Sequence, residues 1–166
     1  MAGGNDRRTP EGEAATHVIL STFRANGLLL AAGDVLAAGD GLTAARWQVL
    51  GAIALAERPL TVPQIARRMG LTRQSVHATV KRLVRDGLLE QTPNADHRRS
   101  RLVSMTEAGR TTYAALDGRQ GVWVSGLADG IDRSDLETAA GVLDELCRRL
   151  EGASAGGRAS KEGENR

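Results

Sequence analysis

Between Thr61 and Gly87 the chain is punctuated twice in the same order, a threonine, a short run, then a glycine. That punctuation leaves little choice of fold. Thr61-Val62-Pro63-Gln64 reads as a helix start: the threonine hydroxyl can accept a free backbone N–H, and the glutamine three residues on can return the bond. Proline in the first turn does no harm, because its missing N–H has no helical partner there. The helix is short, ending near Met69, with Gly70 as its stop. Leu71 is a spacer, Thr72 caps a second helix from Arg73 to about Asp86, and Gly87 ends it. Two short helices joined by a tight glycine-containing turn form a helix-turn-helix. In the second of them Val76, Val80, Leu83 and Val84 fall at spacings of four, three and one, so that stripe faces a core.

After Gly87 the pattern becomes extended. Leu88-Leu89-Glu90-Gln91-Thr92 and Arg101-Leu102-Val103-Ser104-Met105 flank Pro93-Asn94-Ala95-Asp96-His97-Arg98-Arg99-Ser100, a run of turn formers and arginines. This predicts a β-hairpin with a basic tip. A hairpin directly after a helix-turn-helix makes a winged helix.

The flanks read as helices. His17 to Ala37 is mostly helical in character, weakened by Gly27 and Gly33, and Gly39-Asp40-Gly41 breaks the chain. Thr43 caps a helix from Ala44 to about Ala56, with Trp47, Leu50, Ile53 and Ala54 inward. It stops at Glu57-Arg58-Pro59, because the residue before a proline is pushed out of helical geometry. Thr106 caps a long helix through Tyr113, Leu116, Val122, Trp123 and Leu127, loosened around Gly118 and Gly121. Ser134-Asp135-Leu136-Glu137 repeats the capping-box pattern and opens a last helix. There Leu136, Ala140, Leu143, Cys147 and Leu150 stand at spacings of 4, 3, 4 and 3, a short apolar seam suited to packing on a partner helix.

Composition narrows the chemistry. Aromatics make up 2% of the 166 residues (Phe23, Trp47, Tyr113 and Trp123), so the core is built from aliphatics, which favours packed helices over a β-sandwich. The single cysteine, Cys147, excludes an internal disulfide and a multi-cysteine zinc site. His17, His77 and His97 are far apart, so no metal or other cofactor is expected. There is no nucleophile–base motif, glycine-rich phosphate loop or metal-ligand spacing, and the expectation is no enzyme. No uninterrupted apolar stretch approaches the ~20 residues that span a bilayer, and no signal-type segment opens the chain. A cytoplasmic protein without a membrane partner is expected.

Charge supplies the positive argument. Thr61–Arg101 holds nine basic and three acidic residues, a balance of +6, so the remainder carries −4 of the chain's +2. Such segregation is the footprint of a polyanion-binding surface. On the second helix of the motif, Gln74, Ser75, His77, Ala78, Lys81, Arg82 and Arg85 are left outside the apolar stripe, with Thr72 and Arg73 at its start. Arginine matches guanine O6 and N7, and glutamine matches adenine N6 and N7. The spacing does not assign which side chain reads which base. At the hairpin tip, Arg98, Arg99 and Arg101 either pair with nearby acids or lie along a DNA backbone, one of them entering the minor groove.

Asp96-x-Arg98-x-x-Arg101 followed by Leu102-Val103-Ser104-Met105-Thr106-x-x-Gly109 resembles the wing signature of the MarR (multiple antibiotic resistance regulator) family, with Met105 where leucine is usual. Leu42-Thr43-x-x-x-Trp47-x-Val49-Leu50 is similar to that family's second helix. The resemblance covers about residues 17 to 150. It implies a mainly α fold with a small β-hairpin wing, a winged helix-turn-helix whose N- and C-terminal helices interlock in a homodimer. It further implies a palindromic operator on double-stranded DNA, bound usually for repression and sometimes for activation. In many such proteins a small aromatic or phenolic ligand, entering a cleft between the dimer helices and the winged lobe, releases the DNA.

The expected layout is a disordered tail over 1–12, an N-terminal dimerisation helix over 13–40, and the DNA-binding lobe over 41–105. C-terminal dimerisation helices follow over 106–151, then a disordered tail over 152–166. Thr72, Arg73, Gln74, Ser75, His77, Ala78, Lys81, Arg82, Asp96, Arg98, Arg99 and Arg101 are the expected DNA-facing set. Asp96 would hold the wing arginines, and Arg98 would reach the minor groove. Leu136, Leu143 and Leu150 are the expected dimer contacts. Phe23, Arg46 and Trp47 are candidates for an effector cleft, although aromatics at helical spacing more often simply pack. Cys147 as a redox sensor lacks positive activation nearby. The competing function is a winged helix that binds protein rather than specific DNA.

Overall fold

The helix stops and starts legible between residues 60 and 88 are realised as hydrogen bonds. In the computed structural model, which describes residues 8–97 and 99–163 (the side chains of 154–163 excepted), helix α3 spans Val62–Arg68. Gln64 Oε1 accepts the Thr61 backbone N–H at 2.8 Å and the Thr61 hydroxyl at 3.1 Å, closing the first turn. At the other end Gly70 adopts φ +62°, a left-handed conformation open to glycine at no steric cost. Its N–H bonds the Arg67 carbonyl while the Leu71 N–H reaches back to Ala66, which consumes the orphan carbonyls of the last turn. Helix α4, Arg73–Arg85, starts on Thr72, whose Oγ1 accepts the Ser75 N–H at 3.1 Å. Val76, Val80 and Leu83 are buried on it, as the spacing predicts.

The wing is the pair β2 (Leu89–Thr92) and β3 (Leu102–Met105), antiparallel, with Leu89 opposite Met105 and Thr92 opposite Leu102. A third strand, β1 (Leu60–Thr61), adds to the far side of β3. Two residues carry no alternation, so this strand leaves no mark in the sequence. It ties the entry of α3 to the wing.

The chain forms two compact units, Met1–Val122 and Trp123–Arg166. In the first, α1 (Pro10–Ala37) and a single 3₁₀ turn (Ala38–Asp40) lead to α2 (Ala44–Ala54). Asp34 Oδ1 accepts the Ala44 N–H at 2.7 Å, so α1 caps the start of α2. One apolar cluster holds Leu42, Val49, Leu50 and Ile53 with Leu60, Ile65, Val76, Val80, Leu83, Leu89, Val103 and Leu116. Leu116 belongs to α5, Glu107–Leu127, which runs from the first unit into the second. The second unit also holds α6, Arg133–Gly163.

Several boundaries differ from expectation. Helix α1 begins at Pro10, inside the segment expected to be a tail: Thr9 accepts the Gly12 N–H, proline sits at the first position, and Glu11 and Glu13 favour the positive helix end. Gly118 and Gly121 do not interrupt α5, since glycine lowers helix stability without forbidding the geometry. Ser134 lies inside α6 rather than capping it, and Glu137 pairs with Arg133 at 2.7 Å instead of closing a box. The helix continues through 152–163, where Ala153, Ala155 and Ala159 favour it over the expected disordered tail. Pro10–Asp40 is also long and apolar enough, by length and composition, to cross a membrane, where no such stretch was expected. Its Gly33 and Ala37 are buried against the rest of the first unit.

Candidate nucleic-acid interface

With Val76, Val80 and Leu83 consumed by the core, α4 turns most of its remaining side chains outward. Thr72, Arg73, Gln74, Ser75, His77, Ala78, Lys81, Arg82 and Arg85 are all exposed. The wing comes alongside. Val62 and Pro63 of α3, His77 of α4, Gln91 of β2 and Arg99, Ser100 and Arg101 of the wing line one groove of about 270 Å³. The structure thus brings the helix and the hairpin arginines, remote in sequence, to a common surface. Arg101 Nη2 donates to the Gln91 carbonyl at 2.8 Å, which orients that guanidinium along the strand. Asp96 lies in the turn, its N–H bonded to Asn94 Oδ1 at 3.0 Å. Arg98 lies outside the described residues.

Backbone at the root of the wing is fixed tightly. Thr106 Oγ1 donates to the Gly87 carbonyl at 2.7 Å and accepts the Gly109 N–H at 3.0 Å, so one hydroxyl joins the end of α4 to the start of α5. A Cβ on Gly109 would stand 2.0 Å from the Leu88 carbonyl oxygen. Only glycine allows that approach.

Val62, Pro63, Gln91 and Ser100 were not among the residues expected at the site. Nothing local marks them: they join the groove only because β1 and β2 flank β3 and bring α3 against the wing.

The effector candidates do not form one cluster. Phe23 is 70% exposed on α1. Trp47 packs half-buried against the core, its ring 3.6 Å from where a Gly33 Cβ would stand. Gly33 is ten residues, about 15 Å, along α1 from Phe23. Arg46 is engaged elsewhere: Nη1 donates to the Gly41 carbonyl at 3.0 Å and Nη2 meets Asp86 Oδ2 at 2.5 Å. A separate groove of about 400 Å³ is lined by Ile53, Ala54, Met105 and Tyr113 together with Glu57, Arg58 and Arg110. Tyr113 has its pKa raised above the ordinary 10.0, chiefly by burial, then by the negative charge of Asp117 and the hydrogen bond to it.

A short glycine-punctuated helix pair, a cationic outward helix face and a three-stranded wing define a winged helix-turn-helix DNA-binding domain. The comparisons with known proteins agree. The MarR family model matches residues 40–100. An uncharacterized protein of Mycobacterium tuberculosis is 43% identical over 129 residues, covering 78% of this chain and 89% of that one. The transcriptional activatory protein BadR of Rhodopseudomonas palustris is 31% identical over 106 residues, covering 63% of this chain and 61% of BadR. Among solved structures, the M. tuberculosis transcriptional regulator MosR in complex with DNA superposes with a TM-score of 0.65 at 24% identity, covering 81% of this chain and 96% of that one. The chain belongs to the MarR family of transcription regulators.

Proposed function

We propose that this protein is a cytoplasmic homodimer that binds a palindromic operator on double-stranded DNA and represses transcription by occupying it. The observation that carries the reading is the shared groove of His77, Arg99 and Arg101 beneath a helix face on which Gln74, Lys81 and Arg82 stand free of the core. Phosphate contacts from the wing position a duplex, and side chains of α4 read base edges in the major groove. Of the expected DNA-facing set, His77, Arg99 and Arg101 line the groove, and Thr72, Arg73, Gln74, Ser75, Ala78, Lys81 and Arg82 are exposed on α4 or at its start, which supports the reading.

Dimerisation is supported by apolar residues that the fold leaves outside. Ile19, Leu20, Phe23, Leu28 and Leu29 on α1 and Leu136, Leu143 and Leu150 on α6 are each 39% or more exposed. Exposed apolar surface of that extent marks an interaction face. Repression needs only occupancy, and a protein presenting a DNA face and a dimer face supplies that without a further partner. For an effector of aromatic or phenolic type, the groove at Ile53, Met105 and Tyr113 has a volume in the range of small-molecule sites.

Footprinting on the duplex that the purified protein enriches from a random library tests the reading. Two protected half-sites related by two-fold symmetry and spaced by about one helical turn, roughly 34 Å, are expected. A single asymmetric half-site contradicts the dimer, and failure to enrich any sequence leaves the protein-binding alternative.

A further inference from the structure

Asp86 is the C-terminal cap of α4. A carboxylate there opposes the helix dipole, whose carbonyl end is already negative. Two cations face it: the adjacent Arg85, whose exposed Nε donates to Oδ1 at 3.4 Å, and Arg46, from the first turn of α2, which makes the shorter bond. Nη2 of Arg46 meets Asp86 Oδ2 at 2.5 Å, with side chains only 19% and 34% exposed. The same guanidinium donates from Nη1 to the Gly41 carbonyl, while its Nε–H is enclosed with no hydrogen-bond partner in the protein. A half-buried arginine left incompletely satisfied costs stability.

The corner it reaches is itself fixed. Asp40 pairs with Arg119 of α5, and Asp34 of α1 caps α2. The far end of the recognition helix is therefore tied, through one guanidinium, to the corner where α1 meets α2. The apolar contacts of Val76, Val80 and Leu83 set how deeply α4 sits, but such contacts are non-directional. A charge-assisted bond between Arg46 and Asp86 is directional. It fixes the tilt and rotation that dispersion leaves soft.

We infer that Arg46 is a positioning residue for DNA recognition: by clamping Asp86 it holds α4 at the angle at which its side chains read bases. This rests on the function proposed above and deepens it. Base contacts depend on that angle, whereas contacts to phosphates tolerate small rotations. Loss of the clamp should therefore erase discrimination between sequences more than affinity for duplexes in general.

The test uses the full-length protein, the duplex it enriches from a random library, and a scrambled duplex of the same length and composition. Arg46→Gln, Asp86→Asn and the double variant are titrated by fluorescence anisotropy well below their unfolding temperatures. Each single variant should lose roughly tenfold in affinity for the enriched duplex, about the worth of one good bidentate base contact, with the scrambled duplex little changed. The double variant should lose no more than the worse single, because the two residues act as one unit.

Asp86→Asn is the decisive arm. Removing an acid from a polyanion-binding face should strengthen binding if only charge matters, so a loss of selective affinity has the opposite sign. It also carries the test if Arg46→Gln fails to unfold cooperatively. Equal losses on both duplexes, a gain on Asp86→Asn, or no change overturns the inference while the DNA-binding reading stands. Failure of the unaltered protein to enrich any duplex overturns both.

Discussion

The winged lobe and the long helices solve the same problem in opposite ways. On α4 the apolar stripe faces inward: Val76, Val80 and Leu83 are at most 1% exposed, Val84 is half-buried against the same core, and the polar face is what the molecule displays. On α1 and α6 the display is apolar, with Phe23 70%, Leu28 62% and Leu150 69% exposed. The lobe closes its core within a single chain and displays charge. The helices are incomplete, offering a surface that water disfavours by about 25 cal/mol for each Å². One region displays charge and the other apolar side chains.

Substitutions should break this contrast in graded fashion. The largest effect is expected where the lobe meets α5. Gly109→Ala places a Cβ 2.0 Å from the Leu88 carbonyl oxygen, backbone against backbone, so neither side can yield by a rotamer change. A loss of about 4 kcal/mol or more is expected, in the range reserved for strain at a constrained backbone site, read from urea unfolding. A variant as stable as the parent would mean the junction is looser than described.

Leu143→Asp should do the converse. It adds a charge to the exposed seam of α6 and should leave the protomer's unfolding within about 0.5 kcal/mol, as for other surface substitutions. The dimer, however, should dissociate. Sedimentation velocity checks this, and an intact dimer would remove α6 from the interface.

The smallest expected effect is pH-dependent. Tyr113 is the sole tyrosine, and its raised pKa means that the folded chain holds the phenol proton more tightly than the unfolded chain. That stability is fully present below pH 10 and is lost as pH rises through the folded value. Tyr113→Phe should therefore flatten the fall in urea midpoint between pH 9 and pH 11; an unaltered fall would assign it to other groups.

How much was legible in the sequence divides along the same line. Thr61, Gly70, Thr72 and Gly87 marked both helices of the motif because caps are local chemistry, each satisfied within a few residues of itself. The stripe of α4 was legible for the same reason. The start of α1 was legible in principle, since Thr9-Pro10-Glu11 is a cap, a first-turn proline and an acid in order, but the glycines around it masked the signal. Strand β1 was not, because two residues have no period and Leu60 is a strand only through Val103 across the sheet. Arg46 looked like a residue for a ligand cleft. Its partner, Asp86, is forty positions away, and only the packing of α2 on α4 brings them together.

Salt dependence of duplex binding tests the central claim most directly. If residues 61–101 form a cationic lobe gripping DNA, affinity for the enriched duplex should fall linearly on a double-logarithmic plot. The drop should be at least about a hundredfold between 50 and 200 mM salt, as counterion release weakens. Absence of binding to any duplex at 50 mM salt, or binding indifferent to salt, would contradict it.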